Sequence, residues 1–562
     1  MQVKQTLVRL FFLLLPISAL SQTTYLPQGD KANWLMERLE IKSRTDSFFN
    51  FSKTKPYSRK HTVAAVSHYV TGDGIMKLSK TDAYNVQRVM VNNLEYVSEG
   101  GRSLFASKKP VLKHFYKSPA NLYEVHVKDF DLVVNPVIQY SLSKENDSDQ
   151  DLFLNTRGVS VRGRIANKIG FWAYITDNQE RPPSYVQDFI LERRAVPGAG
   201  FYKPFKARGG VDYFDARGYF TFNVTKYIDV TFGYDKNFIG NGHRSLFLSD
   251  FSNNTLFLKL NTRIWKLNYQ NLFMELHSAE IPGGDKLLPK KYAAMHHLDI
   301  SVTKWLNIGV FEGVIFGRKD RFDFGYLNPV IFYRSIEQQN GSFDNSVIGI
   351  DAKANIAGKV QVYGQLSLDE FLLSEIKKNR GWWANKWGIQ IGAKYIDAFG
   401  ISNLDLQIEH NRIRPFTYSH RDSVANYTHY NQPLAHPLMA NFKELIAIAR
   451  YQPAPKWYGI IKVIRYTQGR DNGTQSFGSN IFLPNIPPYR QGDFGYDIGN
   501  GWKTDVTYAS LQLSYELREN MFLDLSAVTR NLETKTTPLM SASSSVITLG
   551  FRWNMHRREY DF

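Results

Sequence analysis

The chain has 562 residues, a formal net charge of +17, an aromatic content of 14% and no cysteine. Without cysteine we expect neither disulfides nor a lipid-modified anchor, and without a later apolar run of about 18 residues we expect no transmembrane helix. A basic chain can bind nucleic acid, anionic glycans or lipid headgroups, but a solvated basic surface explains the charge equally well.

The N-terminus has the form of a cleaved secretory signal peptide, predicted over residues 1–21. It reads "MQVKQTLVRLFFLLLPISALSQ", in which Lys4 and Arg9 precede an apolar stretch and Ala19 and Ser21 form a small-residue cleavage pattern. Such a segment is removed before folding and is too short to act as an anchor. We therefore expect an exported protein with no nucleic-acid partner.

Residues 22–131 differ from the rest of the chain in their periodicity. The stretches "ANWLMERLEI" and "KTDAYNVQRVMVNNLEYV" have apolar residues at helical spacing, and Ser79 or Thr81 is a suitable N-cap for the second. This part is predicted to be a helical region that either lies in the periplasm or plugs the lumen of a barrel.

From about residue 132 onward, apolar residues recur with the period of two that is typical of β-strands. In "WGIQIGAKY", Ile389 and Ile391 share one face while Gln390 and Lys394 share the other. Some stretches break the pattern, as in "HHLDISVTKWLNIGVFEGVIFG", where Glu312 falls in line with apolar neighbours.

Short and long connections alternate strictly along this region. Eight short turns lie near 166–168, 225–227, 262–265, 303–306, 355–358, 397–401, 452–455 and 518–520. Nine long connections lie at about 143–156, 177–217, 235–253, 277–290, 317–345, 368–386, 413–441, 467–503 and 531–543, so seventeen connections join eighteen strands.

Short periplasmic turns alternating with long outer loops are typical of outer-membrane barrels, which also satisfy every backbone polar group inside lipid. We therefore predict an all-β fold, a transmembrane antiparallel barrel of about 18 strands over residues 132–562, in the cell outer membrane. The last strand is predicted to close on terminal Phe562, an aromatic residue familiar from barrel-assembly signals, although the segment after Trp553 is unusually polar.

The sequence predicts no metal site, no cofactor and no enzyme active site. Four histidines share one segment but match no zinc spacing: His410, His420, His429 and His436. A hydrolase at the barrel rim, built on Asp405 and His420, stays an alternative, although nothing in the spacing specifies an activated nucleophile.

The long loops combine aromatic, basic, acidic and amide side chains. Sugar binding needs this combination, because an aromatic face packs on a pyranose ring while arginine holds acidic groups in a bidentate manner. Each aromatic residue taken alone is also explained as an interfacial or loop-core residue, so the prediction rests on the loops together. The candidate glycan-binding residues are Trp382, Trp383, Arg380, Tyr326, Tyr333, Arg334, Glu337, Tyr185, Arg193 and Arg194.

Several long phrases resemble the Wzi-like capsule-assembly family, and in particular its Bacteroidetes branch, which includes the gliding motility protein RemB. The phrases cover parts of residues 130–562 and read "KNFIGNGHRSLFLSD", "GYLNPVIFYRSIEQQNGSFDNSVIGIDAKANIAGKVQVYGQLSLDEF", "RGWWANKWGIQIGAKYIDAFGISNLDLQIEHNRIRPFTYSH" and "NYTHYNQPLAHPLMAN". The resemblance implies an eighteen-stranded outer-membrane barrel with a periplasmic helical portion, acting as a lectin for capsular polysaccharide. It carries over no sugar-binding residues, because the outer loops do not visibly match.

The predicted function is a non-enzymatic barrel that binds or organises surface or capsular polysaccharide, within a gliding or adhesion system. The expected partners are outer-membrane lipid, surface polysaccharide or lipopolysaccharide, and other outer-membrane, secretion or gliding proteins. The alternative is a diffusion porin with a weak anion preference, since eighteen strands enclose a wide lumen. Its inward cations would be Arg162, Arg164, Lys394 and Arg552.

Overall fold

The computed structural model describes residues 23–562 apart from 45–48, 71–77, 147, 206–209, 279–285, 342, 474 and 537. The predicted signal peptide, residues 1–21, lies outside the described residues. Within these described parts of the chain, no helix is both long enough and apolar enough to cross a membrane.

Eighteen antiparallel strands form a closed barrel, in which the last strand pairs with the first. This confirms the predicted fold class, and all eight predicted short turns are present. The strands are β1 Phe130–Glu145, β2 Leu152–Ile165, β3 Ile169–Arg181, β4 Gly210–Thr225, β5 Ile228–Asp235, β6 Thr255–Ile264, β7 Leu267–His277, β8 Lys290–Ser301, β9 Leu306–Phe316, β10 Asn345–Ile356, β11 Val360–Glu370, β12 Lys386–Tyr395, β13 Leu404–Ile413, β14 Phe442–Ala454, β15 Trp457–Arg470, β16 Trp502–Arg518, β17 Met521–Thr534 and β18 Met540–Trp553.

The period of two in the sequence separates an apolar outer wall from a polar inner wall. In β12, Gln390 and Lys394 point inward and are buried, whereas Ile391 points outward and is exposed. Successive side chains of a strand point to opposite faces, so the pairing register places the apolar residues of each strand on the outer face. Exposed apolar residues on the outer wall include Phe220, Phe232, Ile350, Ile391, Ile408, Ile461, Leu525, Ile547 and Leu549.

The helices either precede the barrel in the sequence or lie in its long loops, and most of them are short. Before the barrel come α1 Lys31–Ser43, α2 Arg59–Val70, α3 Lys80–Val91 and α4 Glu99–Ser103, and the long loops hold α5 Ser184–Arg193, α6 Tyr333–Gln339 and α7 Leu373–Lys378. The Ser79 side chain accepts a hydrogen bond from the Asp82 N–H at 2.9 Å, which confirms the N-cap predicted for α3.

Helices α1, α2 and α3 form a plug with its own apolar core, which includes Leu35, Leu39, Val66, Val86 and Val89. The plug lies against the short turns of the barrel. Asn403 donates to Asp82 at 2.8 Å, and the amides of Asn85 and Gln452 bond each other at 2.7 and 3.1 Å. The helical plug therefore closes the short-turn end of the lumen.

Buried ion pairs connect the plug to the inner wall. Arg38 contacts Asp397 at 2.9 Å and also pairs with Asp82 and Asp405. Other pairs between plug and wall include Lys53 with Asp299 and Asp351, Glu40 with Lys353, Glu37 with Lys394, Glu95 with Arg162, and Lys31 and Arg88 with Glu519. These strand and turn charges are thus paired with opposite charges that lie some hundreds of residues away in the sequence, except Arg162, whose partner Glu95 is 67 residues away.

Two loops enter the lumen from the opposite end, one comprising residues 236–254 and the other residues 414–441. The Tyr418 hydroxyl donates to the Leu246 carbonyl at 2.8 Å, and the Ser249 N–H donates to the Leu434 carbonyl at 2.8 Å. Thr54–Lys55 of the plug pairs as a short strand with Phe238–Ile239. The lumen is consequently occupied by protein from both ends.

The C-terminal segment differs from its prediction as a closing strand. Strand β18 ends at Trp553, and residues 554–562 enter the lumen as a tail. The Tyr560 hydroxyl donates to Glu180 at 2.6 Å, Asp561 pairs with Arg244 at 2.9 Å, and Phe562 lies 4.9 Å from the Phe189 ring. The segment after Trp553 is polar because its charged and hydroxyl side chains bind polar groups inside the barrel.

Glu312, which breaks the strand pattern, lies on the outer wall beneath a loop. Phe311 packs in the lumen against Phe247, so Glu312 points to the outer face, where it is 2% exposed. The described residues of 317–344 fold over this face as an outer-wall flap. Glu312 accepts hydrogen bonds from the backbone N–H groups of Tyr333 and Arg334, both at 2.8 Å, and bonds His296 at 2.8 Å.

We predict that Glu312→Leu releases the outer-wall flap while leaving the barrel closed. Each buried donor left without an acceptor costs about 1–3 kcal/mol, so amide exchange in α6 should be faster by about tenfold or more. Hydrogen–deuterium exchange measures this. Val310→Leu, on the same face of β9, is the control, and unchanged exchange at Tyr333 and Arg334 in Glu312→Leu would refute the role of this carboxylate.

We predict that acid detaches the plug. Burial raises the pKa of Glu37, but Lys394 and Lys55 outweigh burial and hold it at about 2, against an ordinary value near 4.5. Burial likewise raises the pKa of Glu95, but Arg162 outweighs it and holds it at about 2. Because these folded-state pKa values are depressed, their stabilisation is complete above about pH 4.5 and is lost as the pH falls toward 2.

Proteolysis of the plug as a function of pH measures this release. Protection should be constant at neutral pH and should fall between about pH 4.5 and 2. Lys394→Met should shift the onset to higher pH, because Glu37 loses a cation that lowers its pKa. Protection that is unchanged down to pH 2 would contradict the prediction.

Candidate functional site

The long-loop end of the barrel carries a surface built by two loops. The loop of residues 371–385 packs against the described part of residues 471–501. The Trp383 N–H donates to the Asp493 carbonyl at 3.0 Å, and the Tyr496 N–H donates to the Gly381 carbonyl at 2.9 Å. Gly381 has a φ of +66°, and a Cβ there would lie 2.8 Å from the Tyr496 nitrogen, so glycine is required for this approach.

Cations and aromatic rings alternate across this surface, which we call the tryptophan surface (Arg380, Trp382, Trp383, Arg490 and Phe494). The Arg490 guanidinium lies 4.2 Å from the Trp383 ring centre, and that of Arg380 lies 4.1 Å from the Phe494 ring centre. The two tryptophan rings are 6.5 Å apart. Cation–π contacts of this kind hold the rings in fixed orientations.

The tryptophan surface offers ring faces and charged donors to solvent. Trp382 and Trp383 are half-buried, and Phe494 is exposed. The Arg380 side chain keeps half of its surface accessible while it pairs with Glu375 at 2.8 Å. An aromatic face beside a partly satisfied guanidinium can pack on an apolar ring face and bind hydroxyl or carboxylate oxygens.

A second group of candidates lies on and after α5. Arg193 is 4.8 Å from the Phe482 ring, so it borders the same loop, 471–501, as the tryptophan surface. Arg194 is exposed. The Tyr185 hydroxyl instead donates to the Tyr560 carbonyl of the C-terminal tail at 2.7 Å, which directs this ring inward.

A third group lies in the outer-wall flap and not at the loop end. Tyr326 is fully buried and donates to Asp344 at 2.7 Å, and Tyr333 is fully buried against His296 with ring centres 4.1 Å apart. Glu337 is also buried and pairs with Arg334 at 3.1 Å, leaving Arg334 as the accessible member. The structure does not bring this group to the tryptophan surface.

The residues for a rim hydrolase are not brought together. Asp405 pairs with Arg38 of the plug at the short-turn end, whereas His420 lies in the loop 414–441 that enters from the other end. Burial lowers the pKa of His420, and burial lowers the pKa of His429 to about 3. Both imidazoles take part in hydrogen bonds within the fold: His429 bonds the Asn254 carbonyl at 2.9 Å, and His420 accepts from the Asp422 N–H at 3.2 Å.

Sequence reasoning missed the contribution of residues 471–501. Arg490 and Phe494 complete the tryptophan surface, and Tyr496 packs 4.9 Å from Phe416 beneath it. The stretch "PYRQGDFGYD" has the same mixture of aromatic, basic and acidic residues as the loops that hold the predicted glycan-binding residues. That composition could have added this stretch to the glycan-binding candidates, but only the fold shows which loops are neighbours.

A closed, even-stranded antiparallel barrel with an apolar outer wall, short turns at one end and long loops at the other has the architecture of outer-membrane barrels. No protein-family model and no curated protein matches the chain in sequence. Among solved structures it is similar to Wzi of Escherichia coli, with a TM-score of 0.57 and 13% identity over 95% of this chain and 100% of that chain.

Wzi is described as an outer membrane protein involved in group 1 capsule assembly and as a carbohydrate-binding β-barrel. A weaker similarity, with a TM-score of 0.43, 9% identity and coverage of 76% and 96% of the two chains, is to OprD of Pseudomonas aeruginosa. At these identities the similarity to Wzi shows a shared fold.

Proposed function

We propose that this protein is a non-enzymatic barrel of the cell outer membrane that binds or organises surface or capsular polysaccharide at its long-loop end. The observation that carries the proposal is the tryptophan surface, where Trp383 is held between two loops beneath Arg490. Rings in fixed orientations lose little conformational entropy on binding, which favours stacking on sugars.

The proposed organisation has three parts: a signal peptide over residues 1–21, a lumen-plugging helical region over 22–131, and the barrel over 132–562. The apolar outer wall supports a location in lipid. Arg380, Arg193 and Arg194 supply positive charge near the loop end, which suits acidic sugars or lipopolysaccharide.

We assign the glycan contact to the candidates that are accessible. At the loop end these are Trp382, Trp383, Arg380 and Arg194, bordered by Arg193, which keeps 13% of its side-chain surface accessible. Arg334 is accessible on the outer-wall flap, away from the loop end, and Tyr326, Tyr333, Glu337 and Tyr185 support the fold. Membership of the RemB branch and a role in gliding or adhesion, with secretion or gliding proteins as partners, are part of the proposal and rest on the sequence resemblance.

The diffusion porin is supported less well, because its proposed pore-lining cations are engaged. Arg162 donates to Glu95 of the plug at 2.8 Å, and Lys394 pairs with Glu37 of the plug at 3.1 Å. Arg164 and Arg552 pair with Asp131 and Asp524 of the wall. Arg162 and Lys394 thus hold the plug in the lumen, and all four cations have carboxylate partners.

We expect the wild-type protein to show no large, stable openings in planar bilayers, because the plug, two loops and the tail occupy the lumen. Glu37→Gln/Glu95→Gln removes two charges that bind the plug to Lys394 and Arg162, and brief openings should become frequent. Single-channel recording measures both. Large, stable, ion-selective openings in the wild type would favour the porin.

We expect Trp382→Ala/Trp383→Ala to lose binding to polysaccharide from the protein's own cell surface. Buried aromatic anchors at interfaces contribute about 2 kcal/mol or more, so the affinity should fall by at least about tenfold. A glycan array with the purified protein, followed by titration of the bound glycan, measures this.

Trp265→Ala is the matched control, because Trp265 is 82% exposed in a short turn at the other end of the barrel. Its affinity should equal that of the wild type. A wild-type protein that binds no surface polysaccharide, or a double variant that binds it unchanged, would overturn the proposal.

A further inference from the structure

The lumen contains a cavity of about 550 Å³ between the plug, the barrel wall and the C-terminal tail. Small-molecule sites have volumes of about 300–1,000 Å³, so this cavity has the size of a ligand pocket. Fifteen Lys and Arg residues and seven Asp and Glu residues line it. The excess of positive charge is enclosed by protein and therefore poorly screened by salt.

Four basic groups from four parts of the chain line the cavity, and Arg217 interacts electrostatically with both Lys236 and His556, as Arg59 does with His556. We call this group the cationic corner: Arg59 of α2, Arg217 of β4, Lys236 of the loop 236–254 and His556 of the tail. Arg217 and Lys236 also line a second, small cavity that shares part of its lining with the first. Arg217 is neutralised, since it pairs with Asp215 at 2.6 Å and lies 3.8 Å from Asp235.

Lys236 and Arg59 have only neutral hydrogen-bond partners among the residues that the structure describes. Lys236 donates to the main-chain oxygen of Asp250 at 2.8 Å and pairs with no carboxylate. An ammonium carries three donors, so two remain for a ligand. Arg59 donates to the Tyr25 carbonyl at 3.0 Å and to the Asn93 side-chain oxygen at 2.6 Å.

The lowered pKa values of Lys236 and His556 indicate that positive charge outweighs negative charge around them. Burial, reinforced by Arg217 and opposed by Asp250 and Asp215, lowers the pKa of Lys236 to about 8. Burial lowers the pKa of His556 to about 4, with Arg217 and Arg59 acting in the same direction and Asp30 opposing them. Both basic groups would be stabilised in their charged forms by an anion.

The wall beside the cationic corner is aromatic. Trp172 and Tyr174 of β3 line the cavity with ring centres 5.8 Å apart, and Trp34 of α1 and Phe251 of the loop 236–254 line it as well. Arg558 of the tail keeps 18% of its side-chain surface accessible although the tail lies inside the barrel, because it faces this space. Charged donors and ring faces therefore share one enclosed volume.

We propose that the lumenal cavity is a binding site for a small oxyanion, a phosphate or carboxylate group that is free or carried by a sugar, held by Lys236, His556 and Arg59. The aromatic wall accommodates the sugar ring when one is attached. This site is separate from the tryptophan surface and stands on different residues.

Isothermal titration of the full-length protein in detergent tests the proposal, with inorganic phosphate, glucose phosphate, glucuronate and neutral glucose as probes. We expect saturable binding of the charged probes at one per chain and none of glucose. Tighter binding of phosphate alone identifies a free anion as the ligand, and tighter binding of a charged sugar identifies a sugar-borne group.

Lys236→Met should weaken binding by about tenfold or more, since one charged anchor is lost. Removal of a buried charge without a carboxylate partner does not destabilise the barrel, which heat-dependent electrophoretic migration checks. His556→Phe is a second variant, and Lys359→Met, exposed in a short turn, is the control. Absence of saturable binding in the wild type, equal binding of glucose, or unchanged affinity in both variants overturns the proposal.

Discussion

The width of the lumen is the constraint on which the rest of the structure depends. Closing eighteen strands leaves an interior wider than side chains from the wall can fill. The chain fills it with its own segments: the plug from the short-turn end, the loops 236–254 and 414–441 from the other end, and the tail between them. The inner wall consequently faces protein over much of its area, and charges there need partners, because an unpaired buried charge is strongly destabilising.

This pairing explains why the sequence of the inner wall does not distinguish a sealed barrel from a pore. Lys394 looks the same in the sequence whether it faces water or Glu37, and Asp351 looks the same whether it faces water or Lys53. The partners are separated by some hundreds of residues, and no local pattern records their pairing. The strand count, the turn positions and the Ser79 cap are local or periodic properties, which is why sequence reasoning predicted them.

The features that could not be predicted from the sequence depend on whether a long loop extends into solvent, enters the lumen or packs on the outer wall. Glu312 breaks the apolar outer face because the flap brings backbone N–H groups to it, and the composition of residues 317–344 does not state whether they extend outward or fold back. Tyr326 and Trp382 occur in loops of similar composition, yet the first is buried on the barrel wall and the second lies at the loop end. Neighbouring loops such as 371–385 and 471–501 are likewise defined by barrel closure and not by sequence distance.

Filling the lumen with protein also places part of the chain's excess positive charge inside the barrel. Part of the net charge of +17 lies inside, where fifteen basic and seven acidic residues surround one cavity. A solvated basic surface loses its influence beyond about 10 Å at ordinary salt, but a charge enclosed by protein is screened much less. We therefore propose two places for recognition: the loop end, where the accessible rings of the tryptophan surface meet solvent, and the cationic corner, where Lys236 pairs with no carboxylate of the described residues. The segments that fill the lumen also enclose the cationic corner, and this enclosure is why we expect the second place to favour anions.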